Sequence, residues 1–167
     1  MIEKKKAHAW GAVGHNFKSS LIFYDIPTNT NGKMTARAYV DKILEPVVKP
    51  WLQERNHFVL EEDRDSGHGI SVKLTPATKL VKDWKEANSL TSFFNCSGSP
   101  DLSPIEDCWQ PTKQYIRKFP HWEKQDTIRL ATEGWERIEQ DWINKKIDEI
   151  PDRLHAVIQH HGKASGY

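Results

Sequence analysis

Cysteine is scarce in this sequence. Two thiols, Cys96 and Cys108, occur among 167 residues, too few for a disulfide framework and too far apart for a zinc knuckle. The expectation is a pair of reduced thiols in an intracellular protein. Long apolar runs are missing too, and no stretch approaches the length needed to cross a bilayer. The basic start, Met1 to Lys6, is followed by Ala7 to Val13, which is too short and too mixed for the apolar core of a secretion signal. Lys4 to Lys6 suit either part of a nuclear signal or an ordinary solvated terminus. Neither sign of charge is in excess: 24 basic side chains face 23 acidic ones, a net +1. Overall charge therefore does not point to nucleic acid, and any basic surface has to be local. There is no internal repeat and no low-complexity linker. What is present, 37% hydrophobic and 28% charged residues with seven tryptophans, is a globular composition. The length suits one domain, 1–167, with a sizeable core.

Patterning gives a mixed α/β chain. Ala9 to Gly14 and Leu21 to Tyr24 read as strands joined by a turn over His15 to Ser19, and hence as a hairpin. Pro27 to Lys33 is a loop. From Thr35, a suitable N-cap, Tyr39, Ile43, Val47 and Leu52 recur near helical spacing, and Pro46 and Pro50 kink or divide that helix. Phe58 to Leu60 reads as a short strand running into Glu61-Glu62-Asp63. A helix over Thr75 to Ala87, a strand at Ser92 to Phe94 and a loop from Ser97 to Pro100 lead to another helix at Pro104. Ile128, Ala131, Trp135, Ile138 and Trp142 make one apolar stripe, most simply a core face. Pro151 ends that helix, and Leu154, Val157 and Ile158 mark a short last one.

Two acids stand out by position. Asp63 lies at the C-terminal end of a strand, where ligands collect in α/β folds. Glu106 falls in the first turn of the helix opened by Pro104, at the favourable end of its dipole. Hard divalent cations such as magnesium take a few carboxylate oxygens and fill their other positions with water and phosphate. Two-metal phosphodiester cleavage needs such carboxylates on rigid elements. Taken singly, either residue equally suits a local role, Glu106 in stabilising its helix and Asp63 in a turn.

The surrounding words narrow this. Glu62-Asp63-Arg64-Asp65-Ser66-Gly67-His68-Gly69 resembles the second-aspartate motif of DDE-type transposases of the mariner-related superfamily, in their fungal form. Ser99-Pro100-Asp101-Leu102-Ser103-Pro104-Ile105-Glu106-Asp107-Cys108-Trp109 is similar to the same family's third-acid motif. The likeness extends through Trp10-Gly11-Ala12, Asn29-Thr30-Asn31-Gly32-Lys33 and the stretch from Pro151-Asp152-Arg153-Leu154 to Gly162. The resemblance implies an RNase H-like fold, a mixed sheet flanked by helices, with a helical C-terminal region. It implies a DNA-cutting and strand-transfer enzyme acting in the nucleus on transposon ends. Asp63 and Glu106 would ligate Mg2+ or Mn2+. The family's first catalytic aspartate sits on the first, central strand, upstream of the Trp-Gly-Ala strand. Here nine residues precede Trp10, and Glu3 is their sole acid.

The expectation is therefore a truncated catalytic domain, lacking that strand and inactive alone. The alternative is a non-catalytic module that binds DNA or intact transposase subunits. Without the first strand, three outcomes are open: the hairpin pairs with the Phe58 strand, another chain supplies a strand, or the fold is marginal. His68 suits a contact to the metal site or to a DNA phosphate, or a hydrogen bond that fixes its loop. Glu62 and Asp65 are candidate substitute ligands. On the Glu106 helix, Gln110, Lys113 and Arg117 share a face with Glu106, a row that suits a phosphate backbone or a merely solvated surface. Lys79, Lys82 and Lys85 carry the same ambiguity. His155, His160 and His161 lack partners for zinc and read as surface residues.

Overall fold

In the computed structural model the described residues are 7–26, 32–54, 58–70, 75–96 and 98–162. Residues 27–31 of the expected loop over Pro27 to Lys33, the lysines Lys4 to Lys6, and Asn29 to Asn31 of the motif word lie outside them. The chain divides into two compact units, Met1–Phe23 with Gly98–Tyr167, and Tyr24–Ser97.

In the first unit, β1 (His8–Trp10) pairs with β4 (Ile22–Tyr24). Between them β2 (Val13–Gly14) and β3 (Phe17–Lys18) form a short antiparallel ribbon with Val13 opposite Lys18. Asn16 sits at the turn with φ 59°, a conformation that asparagine tolerates better than most residues. The hairpin packs on α4 (Pro104–Arg117), α5 (Lys124–Glu136) and α6 (Gln140–Asp148), and α7 (Ile150–Gln159) follows. Cys108, Trp135, Ile138 and Ile143 form the buried centre, with Val13, Leu21, Ile105 and Trp109 against it. The Trp135 indole donates to the Ser19 carbonyl at 2.7 Å, so the largest core side chain leaves no polar atom unpaired.

The apolar stripe expected on one helix is divided between two. Lys18 Nζ donates to the carbonyls of Trp135 and Ile138 at 3.1 and 2.5 Å, closing the end of α5 with a cation where the helix dipole favours one. Ile138 turns into the core in the break that follows. Pro151 opens the last helix rather than ending the previous one, because a proline in the first turn gives up an N–H that has no helical acceptor.

In the second unit, Thr35 caps α1 (Ala36–Tyr39) by accepting from the Ala38 N–H. The helix widens into a π-helical stretch, Val40–Val48, before α2 (Lys49–Glu54). Pro46 lies inside that stretch. Its ring would strike the carbonyl one α-turn back, and the wider winding relieves that contact. α3 (Pro76–Ala87) begins with a reciprocal capping box between Thr75 and Thr78. β5 (Leu60–Glu62) runs parallel to β6 (Ser92–Phe94), with Leu60 opposite Ser92 and Glu62 opposite Phe94. Tyr39, Ile43, Leu44, Val48 and Val81 fill the interior.

β5 starts two residues later than the apolar triplet Phe58 to Leu60 suggests. Its pairing with β6 sends Leu60 and Glu62 inward. A carboxylate is tolerated there because Tyr39 Oη donates to Glu62 at 2.6 Å and Lys85 pairs with its other oxygen.

Candidate active site

Asp63 is the first residue beyond β5, and the loop after it is built to hold its carboxylate. Oδ1 accepts the Asp65 N–H at 3.0 Å and lies 2.6 Å from His68 Nδ1. Asp65 repeats the device one step on, its Oδ1 accepting the Gly67 N–H at 2.8 Å. Two successive side-chain-to-backbone turns thus fold the segment into the 3₁₀ turn Ser66–His68. The His68 ring packs at a tilt against Tyr39, centroids 4.4 Å apart.

Both glycines of the motif are sterically required. A Cβ on Gly67 would lie 2.5 Å from the Met34 carbonyl oxygen. Gly69 has φ +82°, and a Cβ there would meet Val81 Cβ at 2.9 Å.

The electrostatics follow from this packing. The His68 hydrogen bond holds the Asp63 carboxyl below its ordinary value, against the opposing effect of burial. At His68 burial is the largest single influence and pulls downward. The Asp63 hydrogen bond, with the charges of Asp63 and Glu62, outweighs it, and the imidazole stands above its ordinary value. Asp63 nonetheless keeps 69% of its side chain exposed. Its two contacts fall on Oδ1, which leaves Oδ2 for a ligand.

Glu106 stands in the first turn of α4, exposed, with its N–H donating to the Ser103 carbonyl at 3.0 Å. The turn Pro100–Leu102 delivers the chain to it, with Leu102 buried. Arg153 of α7 is 2% exposed and ties this corner together. It donates to the Asp101 carbonyl and to Glu149, each at 2.9 Å, and pairs with Asp107 at 2.8 Å. The third-acid motif and the Pro-Asp-Arg-Leu motif, distant in the chain, therefore meet at one buried guanidinium. Sequence reasoning assigned Arg153 no role. The signal that could have found it is an arginine inside a motif word. Behind Glu106, Cys108 is fully buried, and desolvation pushes its thiol up to about 12. Trp109 stacks on Trp135 at 5.0 Å.

Other expected residues sort clearly. Lys113 and Arg117 are exposed on the outer face of α4 with Gln110 and Glu106, while Thr112 is buried. Glu62 is a buried structural carboxylate, and Asp65 is engaged in its loop. His68 is mostly buried behind Asp63 rather than lying on open surface. Lys79, Lys82 and Lys85 pair with Asp83, Glu86 and Glu62. His155, His160 and His161 are exposed. Among the described residues no group of three or more histidine, cysteine or acidic side chains converges as a metal cage. Asp63 belongs to the second unit and Glu106 to the first.

No family model matches the chain. It is 26% identical over 133 residues to the transposable element Tcb2 transposase of Caenorhabditis briggsae, covering 78% of this chain and 46% of that protein. It is 28% identical over 134 residues to the transposable element Tc1 transposase of Caenorhabditis elegans, again covering 78% and 46%. The chain thus spans less than half the length of these relatives. Among solved structures, the Mos1 transposase catalytic domain with raltegravir and Mg superposes with a TM-score of 0.73 at 14% identity, over 94% of this chain and 76% of that one. The crystal structure of the catalytic domain of Mos1 mariner transposase gives 0.65 at 16% identity, over 94% and 81%. The fold is RNase H-like, a mixed α/β arrangement with a helical C-terminal region. In sequence the chain is similar to Tc1-type transposases, and in fold to the mariner transposase catalytic domain, in each case over most of its own length.

Proposed function

We propose that Asp63 and Glu106 each hold divalent metal for cutting and joining DNA at transposon ends. The observation that carries this is the state of Asp63. It is fixed at one oxygen by His68 and the Asp65 N–H, and it is open at the other. A carboxylate serving only its turn has no need of a buried histidine behind it. The donor set suits magnesium or manganese, since each site offers hard oxygen and leaves room for water and phosphate. Bound there, the metal would supply charge stabilisation at the attacking and leaving oxygens of the phosphodiester.

The chain's own groups do the rest. His68 positions Asp63 and keeps it ionised. Arg153 holds the turn that presents Glu106. Lys113 and Arg117 lie along the phosphate backbone and give affinity without sequence reading. Asp63 and Glu106 are two of the three carboxylates of a DDE site, and with these two alone residues 1–167 do not cut. The protein acts in the nucleus, on DNA and with other transposase subunits.

Relaxation of supercoiled plasmid in Mg2+ or Mn2+ tests this. Residues 1–167 leave the plasmid intact. The same chain fused to an aspartate-bearing first strand from a relative nicks it, and Asp63→Ala or Glu106→Ala abolishes the nicking. A fused chain that folds, by circular dichroism, yet never nicks contradicts the proposal and favours a non-catalytic DNA- or subunit-binding module.

A further inference from the structure

The turn between α4 and α5 carries the largest exposed aromatic side chain among the described residues. Trp122 is 72% exposed and Phe119 42%. A tryptophan just before a helix cap usually packs back on the fourth helical residue. Here that residue is Thr127, which offers little apolar surface, and Trp122 remains in solvent. The turn around it is nonetheless held in shape. Glu123 and Asp126 make a reciprocal capping box at the start of α5, and His121 Nδ1 lies 2.9 Å from the Phe119 carbonyl. On the α4 side Phe119 packs tilted against Tyr115, centroids 5.1 Å apart, and the Arg137 guanidinium lies 4.9 Å over the Tyr115 ring.

Charge accompanies the aromatics. Between Lys113 and Lys124 four cationic side chains face a single carboxylate, Glu123, and that carboxylate is taken up in capping. Lys113, Arg117 and Lys118 are exposed and make no ion pair among the described residues. In a chain with net charge +1, this is a local basic patch interleaved with exposed rings. Duplex DNA offers phosphates but hides the faces of its bases, whereas an unpaired end offers both.

We infer that the Phe119–Trp122 turn is a stacking platform for unpaired nucleobases at a DNA end, with Arg117 and Lys118 on the flanking phosphates. The inference rests on the DNA-cutting reading and names the form of DNA taken beside the metal site. Apart from Arg117, already placed on the phosphate backbone, it draws on residues that have no part in that site.

Fluorescence anisotropy on residues 1–167 tests it with two labelled probes of equal length, a blunt duplex and a duplex with a five-nucleotide single-stranded overhang. The wild type prefers the overhang probe. Trp122→Ala weakens overhang binding about tenfold, the scale of one base–aromatic stack, and leaves blunt binding within about twofold. Trp122→Phe, which keeps a ring, restores overhang binding to within about threefold. Lys118→Ala weakens both probes and flattens the salt dependence. Equal binding of the two probes by wild type and Trp122→Ala overturns the platform and leaves the DNA-cutting reading standing. So does an equal loss on both probes in Trp122→Ala. A change of sedimentation from dimer to monomer in Trp122→Ala, with DNA affinity unchanged, assigns the turn to a second copy and overturns it as well. An overhang preference lost in Trp122→Ala, alongside a fused chain that folds but never nicks, upholds the platform and rejects the cutting reading.

Discussion

Around Asp63 the side chains divide into those that meet solvent and those that hold them in place. Glu62 is the clearest of the second kind. It is buried, bonded by Tyr39 and paired with Lys85. Burial and the neighbouring Glu62 charge push the Tyr39 phenol well up, so it stays a neutral donor. Removing one partner of such a pair leaves a charge without compensation. Lys85→Met is accordingly expected to lower stability by about 3 kcal/mol in urea unfolding, and Tyr39→Phe by about 1 kcal/mol. Gly69→Ala strains a left-handed residue and drives a methyl into Val81. It costs about 2 kcal/mol, and adding Val81→Ala relieves the steric part but not the backbone part. The cysteines report on packing without any mutation. With its thiol at about 12, Cys108 is almost entirely protonated at pH 8, whereas Cys96 is exposed. A thiol reagent at pH 8 therefore modifies one cysteine per native chain and two after denaturation.

At the scale of elements, α4 depends on α7. Arg153 reaches back to Asp101, Glu149 and Asp107, so the last helix buttresses the turn that presents Glu106. Arg153→Met is expected to lose about 3 kcal/mol and to open α7 to protease before the rest of the chain, as limited proteolysis followed by mass spectrometry would show. Arg153→Lys recovers little, since a single nitrogen replaces the two guanidinium nitrogens that reach Asp101 on one side and Glu149 and Asp107 on the other. The helix starts were legible in the sequence because caps are local: Thr35 and Thr75 sit where their hydroxyls meet the first free N–H groups. The two acids were singled out because their motif words are long and contiguous, and their positions, just beyond β5 and in the first turn of α4, are as expected. The break after Glu136 was not, because Lys18, which closes it, comes from the hairpin. Nor was the displacement of β5, because β6 and Lys85 decide which residues face inward. Arg153 escaped for the same reason, its partners being remote in the chain.

For the molecule as a whole, the chain leaves its first unit at Tyr24 and returns to it at Gly98, carrying Asp63 on the excursion and Glu106 on the return. The account therefore rests on two carboxylates, one in each unit, both being metal ligands. Titrating Mn2+ into isotopically labelled residues 1–167, and following paramagnetic broadening of the amide resonances, tests this directly. The account predicts that substoichiometric Mn2+ broadens the signals of Asp63 to Asp65 and of Ile105 to Asp107, and that Asp63→Ala abolishes the first effect and Glu106→Ala the second. Broadening confined to one of the two segments, or none at concentrations that saturate ordinary carboxylate sites, would contradict it.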